Sequence, residues 1–442
     1  MQEVVTMSAP TPDFYSYVWA PPVTVEIRGR FLRMVWEDGA TLEAFALWLR
    51  ENAVGRGGVD PATREGLIDP AEHDSATSIT AASIDEAGAV LVWFDSDDEP
   101  CVFHPGWLRH VAKSMHTPAS WLPTLRWWTA ADFSEPPTHH GPDVLHDDDA
   151  FAAWINDLVS VGLVRLSDLP DDPDVLLGLA ARIGAVRDTN FGAIWDVKAD
   201  VTLAGNAVTN STANTNLRLG PHTDLPTRET PPGFQFLHCF RNEAQGGAST
   251  MADGAAVVAA LKDEHPAHYD ALTTLHWVFF NRGPGIDHRW SGPLIDLGQS
   301  GAPLTLRAFY PVRGFPDMAP EDMPRGYEAM ACFSTLAASD RFQITYPFHA
   351  GDMVCFDNRR ILHGRDPFSA GGARHLRGIY IDHDEVLSAT RVANRRQAAA
   401  SLATQSTSTQ STSRSSTSRS STSTQFRSTQ YRSRSSIHPD SI

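Results

Sequence analysis

The sequence predicts a mainly β chain with flanking helices (α+β): a small β-rich N-terminal domain, then a larger main domain. Three observations point there. Short runs of alternating apolar and polar residues fill the first hundred positions. Two stretches of helical period, 150–161 and 175–183, stand before the main strand-rich region rather than between its strands. Beyond them, many short strand signals are separated by Gly/Pro turns. That is the cadence of a jelly-roll, cupin-like double-stranded β-helix with helices packed outside.

The elements follow in order. The N-terminal domain, 23–114, carries Val25-Glu26-Ile27, Phe31 to Trp36 and Val90 to Phe94 as strands, with Leu42 to Leu49 at helical spacing and ending near Asn52. A linker over 115–145 is rich in Pro, Trp and His, and its His139-His140 reads as a solvated loop rather than a metal site. The main domain, 146–395, opens with His146-Asp147-Asp148, an acidic turn that reads as the cap of the helix Ala150 to Val161. A strand (Gly162 to Leu166), a helix (Val175 to Ile183) and, far downstream, the strand Gly351 to Phe356 complete the framework; the last ends at Asp357-Asn358. From 398 to 442 the composition turns to Ser, Thr, Gln and Arg in imperfect repeats, with almost nothing to bury, so this tail is expected to be disordered. Repeat expansion accounts for it; phosphorylation or an electrostatic contact is the alternative.

Composition narrows the class. The 442 residues carry a net charge of -17 with a pI near 5.4, which argues against nucleic acid as a partner of the folded body. Cys101, Cys239, Cys332 and Cys355 are scattered without a CxxC pair, as expected of buried thiols in a reducing compartment. Met1 to Pro22 shows no signal-peptide pattern, and no apolar run approaches the ~20 residues of a membrane span. The expectation is a cytoplasmic protein with a small-molecule substrate and no membrane partner.

The most informative motif is His222-Thr223-Asp224, answered downstream by His363. Side chains two apart on a strand share a face, so His222 and Asp224 point one way and Thr223 the other. Two imidazoles and one carboxylate form the 2-His-1-carboxylate facial set of non-haem Fe(II), which leaves coordination positions open. An HxD by itself arises by chance in a chain of this composition, and 146–148 is a second one. The context is what distinguishes the first.

That context is Asn216 to Pro226, Pro231-Pro232-Gly233-Phe234-Gln235-Phe236-Leu237-His238-Cys239, Gly246-Gly247-Ala248-Ser249-Thr250, Cys355 to Arg365, and Arg374 to Asp382. In this order the blocks resemble the γ-butyrobetaine hydroxylase branch of the taurine-dioxygenase-like Fe(II)/2-oxoglutarate dioxygenases, over roughly 25–395. The resemblance implies iron held by His222, Asp224 and His363, and hydroxylation of an unactivated C–H with release of succinate and CO2. It implies 2-oxoglutarate held by Arg374, Ser249 and Leu237. The choice of Arg374 also follows from chemistry: a buried keto-acid needs its far carboxylate paired, and a planar guanidinium offers two parallel hydrogen bonds. Period-2 sorting puts Arg374, Leu376, Gly378 and Tyr380 on one face and Arg377 on the other. Ser249, after a Gly-Gly turn, is otherwise a local hydrogen-bonder.

The resemblance breaks in two places. In the N-terminal domain Trp48-Leu49-Arg50-Glu51-Asn52 is intact, but Ala53, Gly55 and Gly58 occupy the family's zinc-cysteine positions and Glu99 or Pro100 its histidine, so no zinc is expected. In the substrate pocket the family's aromatic cage for a trimethylammonium group falls on Phe191, Trp195, Asn214 and Tyr380. Asn214 supplies no ring there. Arg307 introduces a charge suited to an anionic substrate, or to a neighbouring carboxylate. The substrate expected is a small amine acid or betaine-like compound, γ-butyrobetaine or a relative. Desaturation or cleavage at the same iron site, on an aminophosphonate or a natural-product intermediate, and an inactive barrel serving as a scaffold, stay open as alternatives. A homodimer is expected by analogy alone.

Overall fold

The computed structural model describes residues 9–69, 71, 76–95, 97–113, 121–198, 216–281, 285–297, 305–308, 312–368, 373–398 and 400. The N-terminal part holds β1 (Thr24–Arg28), β2 (Phe31–Val35), β3 (Thr41–Phe45), α1 (Ala46–Glu51), β4 (Ile79–Ile84), β5 (Val90–Phe94), β6 (Cys101–Phe103) and α2 (Pro105–Ala112). Two antiparallel three-stranded sheets, β1-β2-β3 and β4-β5-β6, enclose one apolar cluster around Leu32, Leu49, Val92 and Trp107. The helix expected over 42–49 is half strand. The Asp38-Gly39 turn closes a hairpin, with Trp36 N–H donating to Ala40 O at 2.9 Å, and the pairing of β2 with β3 claims 41–45 before the helix can start. The loop bearing Ala53, Gly55 and Gly58 is tied to the β5–β6 turn by an ion pair of Arg56 with Glu99, and α1 before it by Arg50 with Asp97.

The larger part runs through β7 (Thr138–His140), α3 (Gly141–His146), α4 (Asp148–Val161), β8 (Leu163–Ser167), α5 (Val175–Ile183), β9 (Trp195–Lys198), β10 (Leu219–His222), β11 (Phe234–Asn242), β12 (Ser249–Asp253), α6 (Gly254–Glu264) and α7 (Pro266–Thr274). It continues with β13 (His276–Phe280), β14 (Arg289–Gly292), β15 (Ile295–Asp296), β16 (Thr305–Leu306), β17 (Arg313–Asp317), α8 (Met323–Ala337), β18 (Gln343–Tyr346), β19 (Met353–Asp357), β20 (Ile361–Arg365) and β21 (Arg374–Ile381). A closing helix covers 383–398.

Two sheets organise this part. One has the order β7-β8-β19-β11-β21-β9, the other β10-β20-β12-β18. Leu163, Val354, Phe356, Cys239 and Leu376 from the first pack with Met251, Ile344, Tyr346 and Ile361 from the second, so the two sheets face each other across a shared apolar interior. Burial alternates over the first half of β21, where Arg374, Leu376 and Gly378 are buried and His375 and Arg377 reach Asp196 at the edge; beyond Gly378 both faces are covered, Tyr380 on the first and Ile379 and Ile381 on the second. On the outer face of the first sheet, α4, α5 and Val386, Ala389 and Ala393 of the closing helix cover Phe234, Phe236 and Cys355. The cluster of α6, α7, α8 and β13 covers Leu306 and Leu362 at the second sheet.

Asp147 caps α4 by accepting from Ala150 N–H at 2.7 Å, as its sequence context suggested. The strand read from 162 begins one residue later, because Gly162 takes a left-handed φ of 79° as the cap closing α4. The segment read as a linker is only partly one. Its His139-His140 is strand rather than loop: β7 pairs in parallel with β8, and His139 meets Asp157 at 3.0 Å. Trp128 is buried, donating its indole N–H to Val161 O at 3.1 Å. The tail lies outside the described residues from 401 onward. Among the described residues no helix is long and apolar enough to cross a membrane.

Candidate active site

His222 closes β10 directly opposite His363 of β20, so the register of one strand pair brings together residues far apart in sequence. Their rings lie 4.1 Å apart. Asp224 stands just beyond β10, with Oδ1 3.4 Å from His222 Nε2 and Oδ2 3.7 Å from His363 Nε2. One donor atom from each of the three lies within 4.8 Å of the others. His222 Nδ1 donates to Gly220 O at 2.9 Å, which orients the ring with Nε2 toward Asp224. Burial, reinforced by the neighbouring His222, pushes His363 down to about 3, so its imidazole is neutral. For Asp224 burial pushes upward, but His363, His222 and Tyr380 together outweigh it and hold the carboxyl well below its usual range. Two imidazoles and a carboxylate suit a divalent cation.

The scaffold behind this triad explains why Asp224 is held in place. Asn358, fully buried, accepts from Asp224 N–H at 2.7 Å and donates to Asp224 O at 3.1 Å and Pro232 O at 3.2 Å. Thr223, pointing opposite to its neighbours as the period-2 rule requires, donates to Leu306 O and accepts from Ala308 N–H. Leu225 takes a left-handed φ of 53°, a turn that β-branched or bulky residues seldom make. The loop it starts is held by Arg307, which donates to the carbonyls of Pro226, Arg228 and Glu229 at 2.8, 2.6 and 2.7 Å and lies over Trp290. Arg307 was expected to meet an anion; its donors instead organise the chain after Asp224. Burial lowers its pKa to about 10, which still leaves it charged near neutrality.

Arg374 is buried on the inward face of β21, its guanidinium 5.6 Å from the Phe368 ring. Its Nε has no hydrogen-bond partner, and among the described residues no carboxylate forms an ion pair with it. Beside it Arg365, two residues after His363 and therefore on the same face of β20, is also buried and donates to Leu217 O at 2.9 Å. Ser249 sits opposite Arg365 across the β12–β20 ladder. Leu237 lies opposite Gly378 and packs with Trp195 in the shared interior.

Of the four positions aligned with an aromatic cage, two come together. Trp195 and Tyr380 lie 5.3 Å apart, and the Tyr380 hydroxyl donates to Asp224 Oδ2 at 2.7 Å. Gly378 makes this stacking feasible, since a Cβ there would fall 2.4 Å from the Trp195 ring. Phe191 is 39 % exposed in a turn and faces solvent. Asn214 lies outside the described residues.

Residues 128–380 match the family described as taurine catabolism dioxygenase TauD, TfdA family. The γ-butyrobetaine dioxygenase of Pseudomonas sp. (strain AK-1) is 37 % identical over 366 residues, covering 82 % of this chain and 93 % of its own. The chain belongs to the TauD/TfdA dioxygenase family. The human γ-butyrobetaine dioxygenase is 28 % identical over 379 residues, covering 83 % of this chain and 95 % of the relative. Dioxygenase str8 of Strobilurus tenacellus is 29 % identical over 353 residues, covering 76 % and 82 %. As a TauD/TfdA protein the chain is an enzyme, an Fe(II)- and 2-oxoglutarate-dependent dioxygenase acting on a small molecule.

Sequence reasoning missed three supports of this TauD/TfdA site. Asn358 stands beside the quoted Asp357 at the end of a strand, but nothing local says that its amide reaches across to Asp224. Arg365 was within reach, because its spacing from His363 puts both on one face. Arg307 was noticed but given the wrong partner, since carbonyl partners leave no mark in composition.

Proposed function

We propose that this enzyme hydroxylates an unactivated C–H of a small amine acid or betaine-like substrate, γ-butyrobetaine or a relative. His222, Asp224 and His363 would hold the iron, within the jelly-roll that the two facing sheets form. The observation that carries the reading is the pairing of that triad with Arg374, a buried guanidinium without a carboxylate partner. A buried cation left unpaired is costly, and a dicarboxylate co-substrate relieves it. Arg374 would take the distal carboxylate of 2-oxoglutarate with Ser249 close by, Arg365 would add positive potential, and Leu237 would line the chain of the keto-acid. When bound, iron and 2-oxoglutarate supply the activation of O2, coupled to decarboxylation to succinate and CO2.

The protein's own work is orientation. Asn358 holds the Asp224 backbone, and Tyr380 occupies the carboxylate oxygen Oδ2. Gly220 O orients the His222 ring. Trp195 and the Tyr380 ring offer a paired aromatic face beside Asp224, the surface on which a quaternary ammonium group is held by cation–π attraction. The Pseudomonas and human relatives carry γ-butyrobetaine in their names, which agrees with that face.

Succinate release tests the proposal: anaerobically reconstituted protein is given 2-oxoglutarate and O2 with γ-butyrobetaine, trimethyllysine and uncharged isosteres of each. The expected result is turnover stimulated by a quaternary ammonium compound, weak with its isostere, and absent in His222→Ala. Equal stimulation by charged and neutral compounds would reject the substrate class. Turnover surviving in His222→Ala would reject the iron assignment.

A further inference from the structure

A second group of metal-binding side chains stands outside the active site. His265 caps the start of α7, His268 follows one turn later, and Cys332 lies on α8, which packs against α7. One donor atom from each lies within 4.8 Å of the others, the same closeness that the iron triad shows. The two imidazole rings are 5.8 Å apart. His265 makes no side-chain capping bond at the helix it begins. Neither imidazole nor the thiol takes part in a hydrogen bond or ion pair among the described residues. Glu264, the preceding residue, acts electrostatically on Cys332, and its carboxylate is held at the surface by Arg341 at 2.6 Å.

We propose that His265, His268 and Cys332 form a second metal site, specific for a borderline-soft divalent ion of the zinc type, that ties the α6–α7 junction to α8. The donor set excludes the hard cations. Mg2+ and Ca2+ take oxygen ligands, whereas one thiolate and two imidazoles suit Zn2+ or Co2+ in tetrahedral geometry. Three protein ligands leave a fourth position, and the exposure of His265 opens it to water. Cys332 is half-buried at the margin of the apolar cluster that contains Leu272, Phe333 and Leu362. An ion here would therefore clamp the helices that back the second sheet. The site differs from the iron triad in chemistry, because only it contains sulfur, and it does not depend on the catalytic reading.

The probe is Co2+ added to the metal-free full-length chain, followed by a Zn2+ titration against a chromophoric chelator. The site predicts a thiolate-to-cobalt charge-transfer absorption in the wild type and in His222→Ala alike. It predicts loss of that band in Cys332→Ser, and a one-equivalent loss of zinc uptake in Cys332→Ser and in His265→Asn. His265 is exposed, so His265→Asn should fold normally and separates loss of a ligand from loss of structure. In a His222→Ala background, zinc should also raise the thermal midpoint when Cys332 is present and not when it is replaced by Ser. A wild type without the charge-transfer band, a band that survives in Cys332→Ser, or equal zinc uptake in all variants would overturn the proposal.

Discussion

Asn358→Ala should separate the iron site's support from its ligands. The Asn358 amide makes three hydrogen bonds, two of them to the backbone of Asp224, and the residue is completely buried. Alanine leaves the Asp224 N–H without an acceptor and two carbonyls without a donor. At about 1 kcal/mol per lost bond, with up to about 1–3 kcal/mol for the stranded N–H, the expected loss of stability is about 3–5 kcal/mol. The effect reaches the metal because Asp224 has little else to hold its main chain: Leu225 after it is already in a left-handed turn. Outer-sphere supports of this kind typically change metal affinity by about 10- to 100-fold. Urea unfolding of the metal-free protein measures the first quantity and anaerobic Fe(II) titration of the folded variant the second. A folded Asn358→Ala that binds Fe(II) as tightly as wild type would show that the amide bonds do not set the ligand geometry.

Four further outcomes follow. Arg374→Met should raise KM for 2-oxoglutarate by about two to three orders of magnitude, as expected for stranding one partner of a buried charge pair, while Fe(II) affinity in direct titration stays near wild type. Gly378→Ala drives a methyl into the Trp195 ring, and at about 1–3 kcal/mol of overpacking it should weaken the amine substrate much more than 2-oxoglutarate, read as a KM ratio. Asp253→Asn strips the carboxylate that Arg360 grips with Nε at 3.0 Å and Nη2 at 2.7 Å; leaving that guanidinium buried should cost about 3–5 kcal/mol in urea unfolding. His238 is buried with neither ring nitrogen bonded, and burial lowers it from 6.5 to about 4. Its neutral form is native, so stability is complete above pH 6.5 and falls as the unfolded state takes up a proton, by about 2 kcal/mol at pH 5; His238→Phe should unfold with that acid slope removed.

The motifs that were legible share one property: their members lie close together along one stretch of chain. The inward face Arg374-Leu376-Gly378-Tyr380 was readable because a strand repeats every two residues, whereas β10 ends at His222 and Asp224 lies just beyond it, so strand period alone does not account for that pair. The α4 helix and its Asp147 cap were readable for the corresponding helical reason. What failed was decided by pairing at a distance. Leu42 to Phe45 carries apolar spacing that fits a helix, and only the neighbouring β2, delivered by the Asp38-Gly39 turn, makes it a strand. His139-His140 looked like a loop because its strand is three residues long and gains its bonds from β8. The Tyr380 ring was assigned to a cage from alignment, whereas its hydroxyl turns out to grip Asp224; strand period gives the face of a side chain but not the partner of its last atom.

The buried arginines differ in what each has left to offer an anion. Four guanidiniums lie at most 6 % exposed in or beside the two sheets: Arg307, Arg360, Arg365 and Arg374. Arg360 is neutralised by Asp253, which is itself 0 % exposed and also caps α6, so that pair welds a strand to a helix and has nothing left to offer a ligand. Arg307 distributes its charge over three carbonyls, whose oxygens accept but do not neutralise, and thereby fixes the loop after the HxD motif. Arg365 donates to Leu217 O at 2.9 Å and feels the positive charge of Arg374. Burial, with the neighbouring charge of Arg374, pushes Arg365 down to about 10. A carboxylate bound at Arg374, as proposed, would offset the cost of burying that guanidinium. The proposed role makes a test available: Arg365→Met should weaken 2-oxoglutarate binding while Fe(II) affinity stays near wild type, and unchanged 2-oxoglutarate binding would show that Arg365 serves the strand, where it donates to Leu217 O, rather than the anion.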